Sequence, residues 1–84
     1  MQTQIWPSPY YCCEQSGVVY GVGKSIIEAQ IDARRYAKSD AAVRRMMLRN
    51  ISVGAAERLL ADGFTADTYV VTRMGVVLTS EVGQ

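Results

Sequence analysis

The sequence predicts an α+β fold of two layers, a mostly antiparallel sheet with two helices on one face, in the order ββαβαββ. Three observations predict it. Runs rich in Val, Tyr and Cys flank turn residues at Ser16-Gly17 and at Arg73-Met74-Gly75, the pattern of two hairpins. Ser25 and Ser52 each precede a stretch with apolar residues at helical spacing, the pattern of two capped helices. The 84 residues, 49% hydrophobic and 20% charged, are enough for one globular domain, 1–84, and for little more. So small a core leaves stability marginal and makes a partner surface common.

Residues 1–9 read as an N-terminal arm, in which Pro7 and Pro9 bias Trp6 and Ser8 to extended backbone. Tyr10 to Val22 reads as the first hairpin. A two-residue turn at Ser16-Gly17 pairs Glu14 with Val19, Cys13 with Tyr20, Cys12 with Gly21 and Tyr11 with Val22. Tyr11, Cys13, Val18, Tyr20 and Val22 then form a core face, and Tyr10, Cys12, Glu14, Val19, Gly21 and Gly23 a solvent face. A three-residue loop with Gly17 in the left-handed region is the competing register and exchanges the two cysteines. In either register Cys12 and Cys13 point to opposite faces, one thiol in and one out, as unbonded thiols.

The stretch Gly21-Val22-Gly23-Lys24-Ser25 looks like a phosphate loop, but the spacing of a Walker A motif, GxxxxGK[ST], is not met, because Val18 stands where its first glycine belongs. Ser25-Ile-Ile-Glu28 fits a capping box instead. The helix it opens is expected to run from Ile26 to about Lys38, with Ile26, Ala29, Ala33, Tyr36 and Ala37 inward and Ile27 and Ile31 on the outer side. Ser39-Asp40 breaks that pattern. Val43 to Ile51 fits a strand or a helix, and the breakers on either side favour a strand. Ser52 caps a second helix, Val53 to Asp62, with Val53, Ala56, Leu59 and Leu60 inward and Gly63 as its stop. Phe64 to Thr68 is a connector. Tyr69–Thr72 and Val76–Thr79 form the second hairpin, over a three-residue loop, and the last residues are a tail.

Composition narrows the function classes. The net charge of +1 gives no global field for nucleic acid. With no histidine, the usual general base and commonest metal ligand are missing, and two cysteines do not make a four-ligand zinc site. The expectation is no enzyme, no catalytic residue, no metal and no cofactor. No apolar run approaches the roughly 20 residues of a membrane span, and the start lacks the basic-then-apolar pattern of a secretory signal, so no membrane contact and a cytoplasmic location are expected.

Three constellations point to binding. Arg34, Arg35, Lys38, Arg44, Arg45 and Arg49 cluster in sequence with only Asp40 against them, a local patch for phosphates or an acidic protein. Ile27 and Ile31, one turn apart beside Arg34 and Lys38, have the anatomy of an interface patch with a charged rim. Trp6 in its proline-flanked arm is a candidate anchor residue.

From Tyr20 through Ala33, "YGVGKSIIEAQIDA" resembles the strand, glycine, Ser/Thr cap and "EA…A" helix unit common in small proteins of phages and other mobile elements. "ADGFTADTYVVTRMGVVLTSEV", with its helix stop and terminal hairpin, resembles the ends of such proteins. Some of these are anti-CRISPRs, which block effector complexes by occupying a surface. The resemblance implies an inhibitor of a protein or nucleoprotein complex, acting in the host cytosol if phage-encoded. The residues that would carry this are Ile27, Ile31, Arg34, Lys38, Arg44, Arg45, Arg49 and Trp6. The alternative is a small nucleic-acid-binding regulator, a homodimer through Ile27 and Ile31.

Overall fold

The structure, a computed structural model, describes residues 6–62 and 69–82. Its elements are β1 (Tyr10–Gln15), β2 (Val18–Gly23), α1 (Ile26–Ala33), α2 (Asp40–Arg44), β3 (Met47–Ile51), α3 (Val53–Asp62), β4 (Tyr69–Val71), β5 (Val76–Leu78) and a 3₁₀ turn (Thr79–Glu81). The fold is mixed α+β, with five strands in the order β2-β1-β3-β5-β4. Three of the four pairings are antiparallel, and β3 with β5 is parallel. The sheet curls, so that Tyr69 on one edge reaches β2 on the other and its hydroxyl accepts from the Val19 amide at 2.8 Å.

The helices do not share one face. Cys12 packs with Ala55, Ala56 and Leu59 of α3, together with Val19, Val22, Ile51, Tyr69 and Val76. Cys13 packs with Ala29 and Ala33 of α1, Val43 of α2, and Met46. Neighbouring strand residues point to opposite faces, so β1 lies between two cores. Both cysteines are 0% exposed. The expected solvent face is therefore buried: Cys12, Glu14, Val19, Gly21 and Gly23 all lie inside.

The register is corrected by a bulge. Ser16 (φ 54°) and Gly17 (φ 84°) form the two-residue turn, and Glu14 pairs with Val19 as expected. Beyond that, Cys13 pairs with Gly21, Cys12 with Val22 and Tyr11 with Gly23, which leaves Tyr20 as an extra residue. One inserted residue changes the phase of alternation. Val19 and Val22 thus share the α3 face, and Gly21 is turned toward α1.

The glycines of the false phosphate loop seat a helix. A Cβ on Gly21 would lie 2.3 Å from the Ala29 carbonyl oxygen and 2.3 Å from the Ala33 amide nitrogen, and one on Gly23 would lie 2.6 Å from the Ala29 amide nitrogen. Only bare backbone lets α1 come so close. Ser25 caps α1, its Oγ accepting from the Glu28 amide at 3.1 Å. Lys24 Nζ lies over the Tyr10 ring, 5.9 Å from its centroid.

Helix α1 ends at Ala33, earlier than the expected Lys38. The amides of Arg35 and Tyr36 bond back three residues, to Asp32 and Ala33, and tighten the chain into turns. Tyr36 is left exposed, and Ile26 in the first turn is exposed as well, so neither belongs to the core face. Ser39-Asp40 starts a helix rather than merely breaking one: Ser39 Oγ accepts from the Ala42 amide at 3.1 Å and caps α2. The segment 43–51 is consequently split, with Val43 and Arg44 in α2 and Met47–Ile51 in β3. The observed order is ββααβαββ.

Helix α3 follows β3 directly. Buried Ser52 caps it, its Oγ accepting from the Ala55 amide at 3.1 Å and donating to Glu81 Oε1 at 2.7 Å. That anchor sets the phase of the helix: Ala55, Ala56 and Leu59 turn inward, and Val53 and Leu60, expected inside, are exposed. Within the described part of the expected tail, Glu81 is thus docked rather than free. In the second hairpin Thr72 and Gly75 exchange backbone bonds, so Arg73 and Met74 alone form the tip. Gly63 and Phe64–Thr68 lie outside the described residues.

Candidate functional site

The two features of the sequence that looked most like chemistry are occupied inside the fold. Burial pushes the Cys12 thiol up to about 12, with the neighbouring Cys13 and Glu14 adding to the effect and Arg49 opposing it. Burial also raises Cys13, and the Asp32 carboxylate adds to it. Neutral, fully buried thiols are poor nucleophiles and poor metal ligands. Among the described residues no three His, Cys, Asp or Glu side chains are placed to hold a metal ion, and no helix is long and apolar enough to cross a membrane.

Glu14 is 4% exposed. One carboxylate oxygen accepts from Arg49 Nε, and the other accepts from the Gly17 amide at 2.8 Å. Burial acts to raise this carboxyl, but the Arg49 hydrogen bond, the Gly17 amide and the Arg49 charge outweigh it and hold it below the usual carboxylate range. Arg49, expected in the partner surface, is therefore tied to an internal carboxylate.

Trp6 is partly buried and not extended into solvent. Its ring lies against Gly75, where a Cβ would stand 2.7 Å from Trp6 Cη2 and 2.3 Å from the Asn50 carbonyl oxygen. The following residues are pinned to β3. Ser8 Oγ donates to the Ile51 carbonyl, and the Asn50 side-chain amide donates to the carbonyls of Ser8 and Tyr10.

The remaining candidates lie on α1, α2 and the turns between them. Ile27 and Ile31 are 68% and 65% exposed. With Arg34, Val43 and Arg44 they line an open groove of about 340 Å³ between α1 and α2. Arg34 is held at its end, Nε on Asp40 Oδ1. Arg35 faces Asp32 at 3.6 Å, and that carboxylate also accepts from the Val22 amide at 3.0 Å. Lys38 lines a neighbouring depression with Tyr20, Tyr36 and Met46. Among the described residues Lys38, Arg44 and Arg45 have no carboxylate partner. Among the described residues the six cations thus divide: Arg34, Arg35 and Arg49 are paired within the fold, and the other three are not. The floor residue Val43 was missed from the sequence because α2 was not foreseen there. The serine cap at Ser39 was the available signal.

Fold and surface together define a class: a small α+β domain whose accessible surplus is an apolar helix ridge beside cations that have no carboxylate partner among the described residues. Comparison with family models, with curated proteins and with solved structures finds no match.

Proposed function

We propose that this chain is a non-enzymatic binding protein that occludes an acidic surface of a partner protein. Ile27 and Ile31 form the desolvated centre of the contact, and Arg44, Arg45 and Lys38 its charged rim. The observation that carries this reading is the pair of isoleucines, about two-thirds exposed on adjacent turns of one helix. Exposed apolar residues occurring singly are ordinary, whereas a contiguous ridge beside charge marks an interface. The apolar centre favours a protein over a phosphate backbone, which would reward the cations and leave the isoleucines unused. The narrower reading, inhibition of a host defence complex by a mobile element, rests on the resemblance of the Tyr20–Ala33 unit and the terminal hairpin to small phage proteins.

The test compares the wild type with Ile27→Gln/Ile31→Gln and Arg44→Glu/Arg45→Glu. The isoleucine pair is expected to melt within a few degrees of wild type, because both side chains stand outside the two cores and helix propensity changes little. It should lose retention of partner in nuclease-treated extracts. The arginine pair should weaken retention in a salt-sensitive way. Binding to DNA or RNA with a steep salt slope, indifferent to the isoleucines, would instead make the chain a nucleic-acid-binding regulator. A dimer that dissociates in the isoleucine variant would place the regulator's dimer contact on this ridge.

A further inference from the structure

We propose that the groove between α1 and α2 receives an acidic amphipathic α-helix of the partner protein. This inference rests on the reading of the same face as a protein-docking surface, and it names the element that docks.

Shape comes first. Ile27 and Ile31 are four residues apart on α1 and so form one continuous ridge, with buried Val43 of α2 at its foot. Ridges of i±4 side chains fit the grooves between side-chain rows of a second helix. The eight residues of α1 extend about 12 Å. Two to three turns of a partner helix cover that length, with apolar residues at i and i+4 on either side of the ridge.

The competing mode is strand addition, and beside this face it is closed. Strand β2 is the edge next to α1. An added strand would need its free amides, but the Val19 amide donates to the Tyr69 hydroxyl at 2.8 Å and the Val22 amide donates to Asp32 Oδ2 at 3.0 Å. Side chains of this molecule already fill the positions a partner strand would take.

Charge selects the kind of helix. Arg34 is matched by Asp40, but Arg44 at the same groove, with Arg45 and Lys38 nearby in the chain, has no carboxylate partner among the described residues. A helix with carboxylates flanking its apolar stripe supplies the missing charge.

The experiment uses the full chain and three fluorescein-labelled synthetic peptides of equal composition, rich in Leu and Glu. One is stapled as an amphipathic helix, one has the same residues scrambled so that no apolar face forms, and one alternates Leu and Glu as an extended strand. Fluorescence anisotropy should show the stapled helix binding at least about tenfold more tightly than either other peptide. That preference should be lost in Ile27→Gln/Ile31→Gln and weakened in Arg44→Glu. Thermal melts of the free variants verify that they remain folded. Equal binding of the strand peptide, dependent on the isoleucines and Arg44, overturns the helix while leaving the acidic protein surface standing. Binding of no peptide, or of a DNA oligonucleotide independently of Ile27 and Ile31, overturns both readings. Sedimentation showing a dimer broken by the isoleucine change overturns the partner helix in favour of a second copy.

Discussion

Gly21→Ala should be among the most damaging single changes in this chain, although it adds one methyl group to a strand. The new Cβ meets main chain: the Ala29 carbonyl oxygen at 2.3 Å, the Ala33 amide nitrogen at 2.3 Å and Ala33 Cα at 2.7 Å. Ordinary contact begins near 3.4 Å, against 2.3 Å available, so α1 must retreat by roughly 1 Å. The retreat opens the seam that covers Cys13, Val43 and Met46. Overpacking a tight core costs about 1–3 kcal/mol, and backbone resists more than a side chain that can turn aside, so the upper end applies. Replacing glycine also restricts the unfolded chain, which returns about 0.4–1 kcal/mol. A net loss of about 2 kcal/mol remains, out of roughly 4–12 kcal/mol for a domain of this length. It lowers the melting temperature by about 8–16 °C.

Thermal and urea unfolding measure this, with two controls. Gly17→Ala has no atom within 4 Å of the new Cβ and only the strain of φ +84°, so it should cost about 1 kcal/mol. Combining Gly21→Ala with Ala33→Gly should not restore stability, because the obstructing atoms at position 33 belong to the backbone. A Gly21→Ala protein melting within about 2 °C of wild type would show that α1 accepts the methyl group without retreating. The glycine would then be present for flexibility alone, and the seat for α1 would not exist as described.

Both cysteines should stay unreactive toward a thiol reagent in the native protein and react together on unfolding, since both are fully buried; one fast thiol would restore the sequence expectation that one faces solvent. Glu14 is depressed in the folded state, so its pairing with Arg49 stabilises fully above the ordinary carboxylate range of about 4 and is lost as pH falls through the folded value. Arg49→Met should cost about 3 kcal/mol at pH 7, by stranding a buried carboxylate, and should make the variant more stable at pH 4 than at pH 7, the reverse of wild type; urea titrations at the two pH values decide it. Ser52→Ala should cost about 1–2 kcal/mol because it removes the α3 cap and the Glu81 anchor together, whereas Ser25→Ala should cost about 1 kcal/mol without creating or removing nucleotide binding.

What was legible in the sequence was local. Ser25 and Ser52 cap their helices through a bond to an amide three residues on, and Ser16-Gly17 turns the first hairpin with Glu14 opposite Val19. The outer position of Ile27 and Ile31 follows from helical spacing, and both stand at the surface. What failed depends on partners far along the chain. The Val19 amide lies on the edge strand β2 and is met by a hydroxyl 50 residues away. Cys12 would face solvent on a two-layer sheet and is buried only because α3 crosses to the other side. Ser39 carried a capping signal, but a five-residue helix there had nothing in the local sequence to distinguish it from a break.

The same division bears on where function lies. The capping and buried polar groups have internal tasks. Ser25, Ser39 and Ser52 hold helix starts, Asp32 holds the edge of β2, Glu14 and Arg49 hold each other, and no buried side-chain nitrogen or oxygen among the described residues lacks a hydrogen-bond partner. An unsatisfied buried group would have pointed to a missing ligand. Here the unsatisfied chemistry is outside: an apolar ridge that a folded domain gains nothing by exposing, and cations with no carboxylate partner among the described residues. A sequence under pressure only to fold would replace Ile27 and Ile31 by polar residues at little cost to either core. Their presence beside Arg44 is understandable if stability is not the property they serve, and the double glutamine variant separates the two: unchanged melting with lost binding assigns the ridge to a partner, and unfolding assigns it to the core.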